Sequence, residues 1–188
     1  APELNLANLK ISNNNSAGGG GIYIAGTVIL TVDGCNITGN TMTSSSGNGG
    51  GIYILPGTVN PVNATIKNST ISFNTAVSHG GGIMTLCGAN ASTPVSHSLT
   101  LENTTIYKNS CTVSAKFGGG IDFRMAGSGQ TATPTHTVTL NHCTVVGNTT
   151  NGAAGADGVC FENGAYYVTL VMNNSIVMGN SGSTTNMS

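Results

Sequence analysis

The chain has 188 residues, five basic and six acidic, for a formal net charge of -1, and only 6% of it is charged, against roughly 25% in an average soluble protein. That balance excludes the basic footprint of nucleic-acid binding and the polybasic patch that holds anionic lipid. No apolar run reaches the roughly eighteen residues that span a bilayer, and no leader with a basic start and apolar centre opens the chain. Ala1-Pro2-Glu3 suits a cleaved, mature N-terminus as well as an arbitrary boundary.

From the N-terminus, apolar residues fall at every second place: Leu4 and Leu6, then Leu30 and Val32, Ala64 and Ile66, Leu99 and Leu101, Val138 and Leu140, Leu170 and Met172. This alternation predicts strands with one buried face. Asn5, Thr31, Thr65, Thr100, Thr139 and Val171 are the outward residues between them. A signature follows each strand, an Ile or Val three places before an Asn: Ile11 to Asn14, Ile37 to Asn40, Ile71 to Asn74, Ile106 to Asn109, Val145 to Asn148 and Val177 to Asn180. Between signatures stands a glycine run ending on an apolar anchor, at Ile22, Ile52, Ile83 and Ile121, with a worn copy at Asp157-Gly158-Val159. After each anchor a short alternation resumes, predicting that Tyr23, Tyr53, Met84, Asp122 and Cys160 face outward.

The anchors are 30, 31, 38 and 38 residues apart, a period that marks stacked repeats. The expected fold is all-β: one parallel β-helix domain over 1–188, right-handed, with five to six rungs and three short strands per rung. Asn14, Asn40, Asn74, Asn109, Asn148 and Asn180 should stack as a ladder of amides at one bend. The insertions Leu86 to His97 and Met125 to His136 should project as loops from one edge. Register has an independent check in the charges. Asp33, Lys67 and Glu102 alternate in sign down one outward column, and Arg124 and Glu162 share another. The cysteines, Cys35, Cys87, Cys111, Cys143 and Cys160, form no CxxC pair and are odd in number. They read as small buried hydrophobes. No two adjacent rungs carry cysteine in one column, so no cross-rung disulfide is expected; Cys87 with Cys111 is the one pairing left open.

With these motifs in view, the chain resembles the passenger repeats of polymorphic outer-membrane autotransporters, which alternate Gly-Gly-Ala-Ile-like and Phe-x-x-Asn motifs. It is equally similar to the wider group of right-handed parallel β-helix repeat proteins of cell surfaces. Here Ile or Val stands for the Phe, and Gly-Gly-Gly for Gly-Gly-Ala. The resemblance implies extracellular display, adhesion or a structural stalk, and brings no catalytic set to map.

Polysaccharide lyases and hydrolases also use β-helices, and need clustered carboxylates or a calcium site with a nearby base. The six carboxylates are Glu3, Asp33, Glu102, Asp122, Asp157 and Glu162. Asp122, Arg124, Asp157 and Glu162 come nearest to a cluster, and an ion-paired structural patch is the simpler reading of them. His79, His97, His136 and His142 lack metal-ligand spacing and read as loop residues, with His97 and His136 at equivalent places on neighbouring rungs. The glycine runs precede strands and no Lys follows, unlike a phosphate loop. Ser98, Thr100, Thr137 and Thr139 suggest the flat face of an ice-binding solenoid, but Ile29, Asn63 and Val171 break the pattern.

Sequons occur at Asn14, Asn36, Asn63, Asn68, Asn90, Asn103, Asn148, Asn173 and Asn186. In a secreted eukaryotic protein Asn90, on a long loop, is the favoured acceptor, while Asn14 and Asn148 should be withheld by the ladder. Repeat columns run to both ends, so the chain reads as uncapped: part of a longer surface protein or a subunit that stacks head to tail. The expectation is a secreted or cell-surface, non-enzymatic solenoid for adhesion, display or fibre formation, without cofactor. Its partners would be its own copies, a longer parent chain, glycans or a host surface; a polysaccharide-acting enzyme is the competing reading.

Overall fold

The computed structural model describes residues 1–56, 61–88, 95–113, 117–126, 135–151, 156–162 and 167–181. Its strands sort into four parallel sheets, each built by taking one strand from every rung. The first sheet holds Glu3–Ala7, Ile29–Asp33, Asn63–Lys67, Ser98–Glu102, Thr135–Asn141 and Tyr167–Asn173. The second holds Lys10–Ser12, Asn36–Thr38, Thr70–Ser72, Thr105–Tyr107, Thr144–Val146 and Ile176–Met178. Five two-residue strands make the third: Asn15–Ser16, Thr41–Met42, Thr75–Ala76, Ser110–Cys111 and Thr149–Thr150. The fourth follows the glycines: Ile22–Ala25, Ile52–Leu55, Ile83–Gly88, Ile121–Ala126 and Val159–Glu162. Each strand pairs with its counterpart on the next rung, column on column, as in Leu99 with Val138 or Ile83 with Ile121. This winding is a parallel β-helix.

Three strands per rung become four, because the two residues after each ladder Asn pair with their neighbours as well. Thr75 is opposite Ser110 and Ala76 opposite Cys111. Two residues are too short for an alternation to be read, which is why the sequence pattern misses them.

Two left-handed bends turn the chain around the second sheet. Asn8, Gly34, Asn68, Asn103, His142 and Asn174 hold the first, at φ 45–62°. Asn13, Gly39, Phe73, Lys108, Gly147 and Gly179 hold the second, at φ 50–67°. Gly and Asn suit this conformation; a branched or bulky side chain there costs roughly 1–2 kcal/mol. Phe73 and Lys108 therefore stand out, and return below.

Inside, Leu30, Val32, Ile66, Leu99, Leu101, Ile106, Ile121, Phe123, Val138 and Leu140 form one apolar core with at most 1% exposure each. A second inward column lines the first bend with small polar groups: Cys35, Ser69, Thr104, Cys143 and Ser175. Ser69 Oγ donates to the Lys67 carbonyl and Thr104 Oγ1 to that of Glu102. The Cys35 and Cys143 thiols stand in the hydroxyls' place and donate to the carbonyls of Asp33 and Asn141. All five cysteines are buried free thiols, Cys87 and Cys111 included. Burial pushes the Cys87 and Cys111 thiols well above the usual range. Because the thiolate is the reacting form, the native protein should consume almost no aromatic disulfide reagent at pH 8, and all five thiols should titrate in denaturant. Rapid labelling without denaturant would contradict this burial.

Outside, Lys67 Nζ lies 3.3 Å from Asp33 Oδ2, and Lys67 is the register partner of Glu102. The Asn68 amide, which donates to Asp33 Oδ1 at 2.8 Å, and the Lys67 ammonium hold the Asp33 carboxyl below its ordinary value. Arg124 and Glu162 are register partners as well. Much of the two insertions, 89–94 and 127–134, lies outside the described residues, as does the sequon at Asn90. No helix of the described residues is long and apolar enough to cross a membrane.

Candidate functional site

Two polar constellations are built into the solenoid. The first is the asparagine column. Asn74 Oδ1 accepts from the Asn40 backbone N–H at 3.0 Å and from Asn40 Nδ2 at 2.9 Å. Asn74 Nδ2 then donates to Asn109 Oδ1 at 2.9 Å and to the Ile37 carbonyl at 2.9 Å. The same four bonds recur at Asn40 and Asn109, and Asn148 repeats them onto Asn180. Two donors and two acceptor sites exhaust the capacity of a primary amide. Only this side chain, at this bend, satisfies the groups around it. Asn14, expected to be closed off, is exposed, and its amide donates to Asn40 Oδ1 at 2.8 Å.

The second constellation lies on the outer face of the fourth sheet, where sequence pattern placed solvent. Tyr23 is 46% exposed there, but Tyr53, Met84, Asp122 and Cys160 are buried. The residues just before the Gly80 run fold back over this face, bringing His79 against Asp122 and Arg124. A Cβ on Gly80 would lie 2.6 Å from Met84 Cβ, and one on Gly118 would lie 2.5 Å from Asp122 Cβ. The returning segment carries His79, which is 4% exposed rather than a surface loop residue. Its Nδ1 lies 3.0 Å from Asp122 Oδ2, and Arg124 Nη1 lies 2.8 Å from its Nε2. Arginine has donors only, so Nε2 accepts and the ring proton sits on Nδ1, donating to Asp122. Phe117, just before the next glycine run, stacks on the imidazole at 5.9 Å between centroids.

Of the four residues that the sequence grouped, the structure joins Asp122 to Arg124 through His79. Asp157 is engaged separately: its Oδ1 accepts from the Thr150 backbone N–H at 2.8 Å and from Thr150 Oγ1 at 2.6 Å. Glu162 is the strand-register partner of Arg124. The arrangement fastens a covering segment to a sheet. His79, Asp122 and Asp157 are each 4% exposed or less, so no sugar reaches them as they stand. Among the described residues no group of three or more His, Cys, Asp or Glu stands together as a metal centre.

Burial raises the Asp122 carboxyl above its ordinary value, against the pull of His79 and Arg124. Among the described residues nothing donates to its Oδ1. A raised folded-state pKa means that the acid form is favoured in the fold. Stability is then fully present below the unfolded value of about 3.9 and falls as pH rises through the higher folded value. Asp122→Asn should therefore melt higher than the parent at pH 7, and the gain should vanish toward pH 4. A melting temperature lowered by the substitution at pH 7 would reverse the assignment.

His97 and His136 are also corrected from loop to interior. They stack at 5.0 Å with planes 21° apart, and His97 Nδ1 accepts from the Val62 N–H at 2.9 Å. Both lie two places before an inward apolar residue, Leu99 or Val138, so the strand alternation itself carries the signal. Burial lowers the His136 pKa.

The family model for a right handed beta helix region matches residues 3–188. The chain belongs to the right-handed β-helix family. No curated protein and no solved structure matches it. Membership settles the winding of the coil, and since structural proteins and polysaccharide-acting enzymes share this region, it leaves activity to the chemistry of the side chains.

Proposed function

We propose that this right-handed β-helix is a non-enzymatic structural and adhesive solenoid, secreted or held at a cell surface. The observation that carries the reading is the state of Asp122, the carboxylate with a histidine and an arginine around it. It is 0% exposed and bound to His79, as suits a fastening and not an acid that must touch a substrate. The likeness of the glycine and asparagine motifs to autotransporter passenger repeats supports the same reading. In this reading further rungs, from a longer parent chain or a second copy, stack on the strand edge at Ile176–Met178.

The test is turnover. Incubation with a panel of uronans and neutral glycans should yield neither new reducing ends nor unsaturated products. Cleavage that Asp122→Asn abolishes would replace this reading with the polysaccharide-enzyme one.

A further inference from the structure

At the outer edge of the second sheet, Phe73 of the bend and Tyr107 of the strand stand on adjacent rungs, edge to face, with ring centroids 5.4 Å apart. Lys108 Nζ lies 5.9 Å from the first centroid and 5.1 Å from the second. Phe73 is 53% exposed, and Lys108 is exposed beside it. Both sit at the second left-handed bend, where the other rungs place Asn13, Gly39, Gly147 and Gly179. A ring and an ammonium are thus held at backbone positions that disfavour them, and neither serves the core. Strain of this kind, kept at the surface, points to function. The neighbouring column supplies hydroxyls at Thr70 and Thr105, which are register partners. Among the described residues no carboxylate is within ion-pairing distance of Lys108.

We propose that Phe73, Tyr107 and Lys108 form a binding platform for an acidic sugar chain, a reading that rests on the adhesive function above. The aromatic face carries partial negative charge and receives the C–H face of a pyranose ring. The ammonium pairs with the sugar's carboxylate, and the threonine hydroxyls meet its hydroxyls. A neutral sugar leaves the lysine unused, and an acidic peptide leaves the rings unused. Adjacent rungs are about 4.8 Å apart, so the two rings and the ammonium span two neighbouring rungs, about the width of one sugar unit of the chain.

The experiment measures retention of the whole protein on a polyuronate, on its methyl ester and on polyglutamate, followed by sizing of the polyuronate. The polyuronate should bind, the other two about tenfold more weakly or not at all. Phe73→Gly and Lys108→Asn place at each bend a residue that other rungs use there, so both should fold, and each should weaken binding about tenfold. Undiminished binding in Phe73→Gly, equal binding of polyglutamate, or no binding of the polyuronate overturns the platform. Shortening of the polymer, with binding still lost in Phe73→Gly, overturns only the non-enzymatic reading.

Discussion

Asn74→Ala is expected to cost about 4–6 kcal/mol of unfolding free energy, a large share of the roughly 5–15 kcal/mol that holds a domain together. The side chain lies at 0% exposure, in the middle of the amide column. Its loss strands the Asn40 N–H and one hydrogen of Asn40 Nδ2, which both give to Asn74 Oδ1. It also takes donors from Asn109 Oδ1 and from the Ile37 carbonyl. Each buried group left without its partner costs about 1–3 kcal/mol. Asn14→Ala is the control. That residue is exposed, and among the described residues its amide donates to Asn40, so about 1 kcal/mol is expected. Urea unfolding followed by far-ultraviolet circular dichroism gives both values. Equal midpoints for the two variants would mean that the column decorates the coil without holding it.

The same column explains how much was readable beforehand. An amide that must bond above and below recurs at a fixed place in every rung, and so do the apolar residues of the first and second sheets. Repetition therefore carried the winding, the register of Asp33 with Lys67, and the inward parity of Leu99 and Val138. The left-handed bends were legible in principle: Asn8, Gly34, Asn68 and Asn103 are residue types that tolerate φ > 0. Phe73 and Lys108 mask that pattern at the second bend. The outer face of the fourth sheet was misread for a different reason. Alternation reports which side of a strand a residue takes, not what lies over that side. Asp122 points away from the main core, as expected, and is nevertheless buried, because the segment carrying His79 returns across it. That return depends on contacts between residues 43 apart, His79 and Asp122, which no local pattern encodes.

Gly81→Ala should be a severely damaging single methyl. The glycine run serves two separate needs. Gly80, at φ +62°, takes a conformation that side chains resist, whereas Gly81 has no such φ and is needed for space. A Cβ there would lie 2.5 Å from the Gly119 carbonyl oxygen and 2.6 Å from both N and O of Ser110. Those atoms are backbone of the next rung, so no rotamer change relieves the contact. The rungs must separate, and the bonds from Gly81 N to the Gly118 carbonyl and from Gly82 N to the Gly119 carbonyl, each 3.1 Å, separate with them. A loss of more than about 4 kcal/mol is expected, read as insoluble or unfolded product. Gly26→Ala isolates the other need: its φ is +88° and nothing lies within 4 Å of the added carbon. Backbone strain alone should then cost about 1–2 kcal/mol and leave a folded protein. If Gly81→Ala melts within a few degrees of the parent while Gly26→Ala does not, left-handed backbone rather than close approach is what the glycines supply, and the tight stacking of rungs at the fourth sheet loses its explanation.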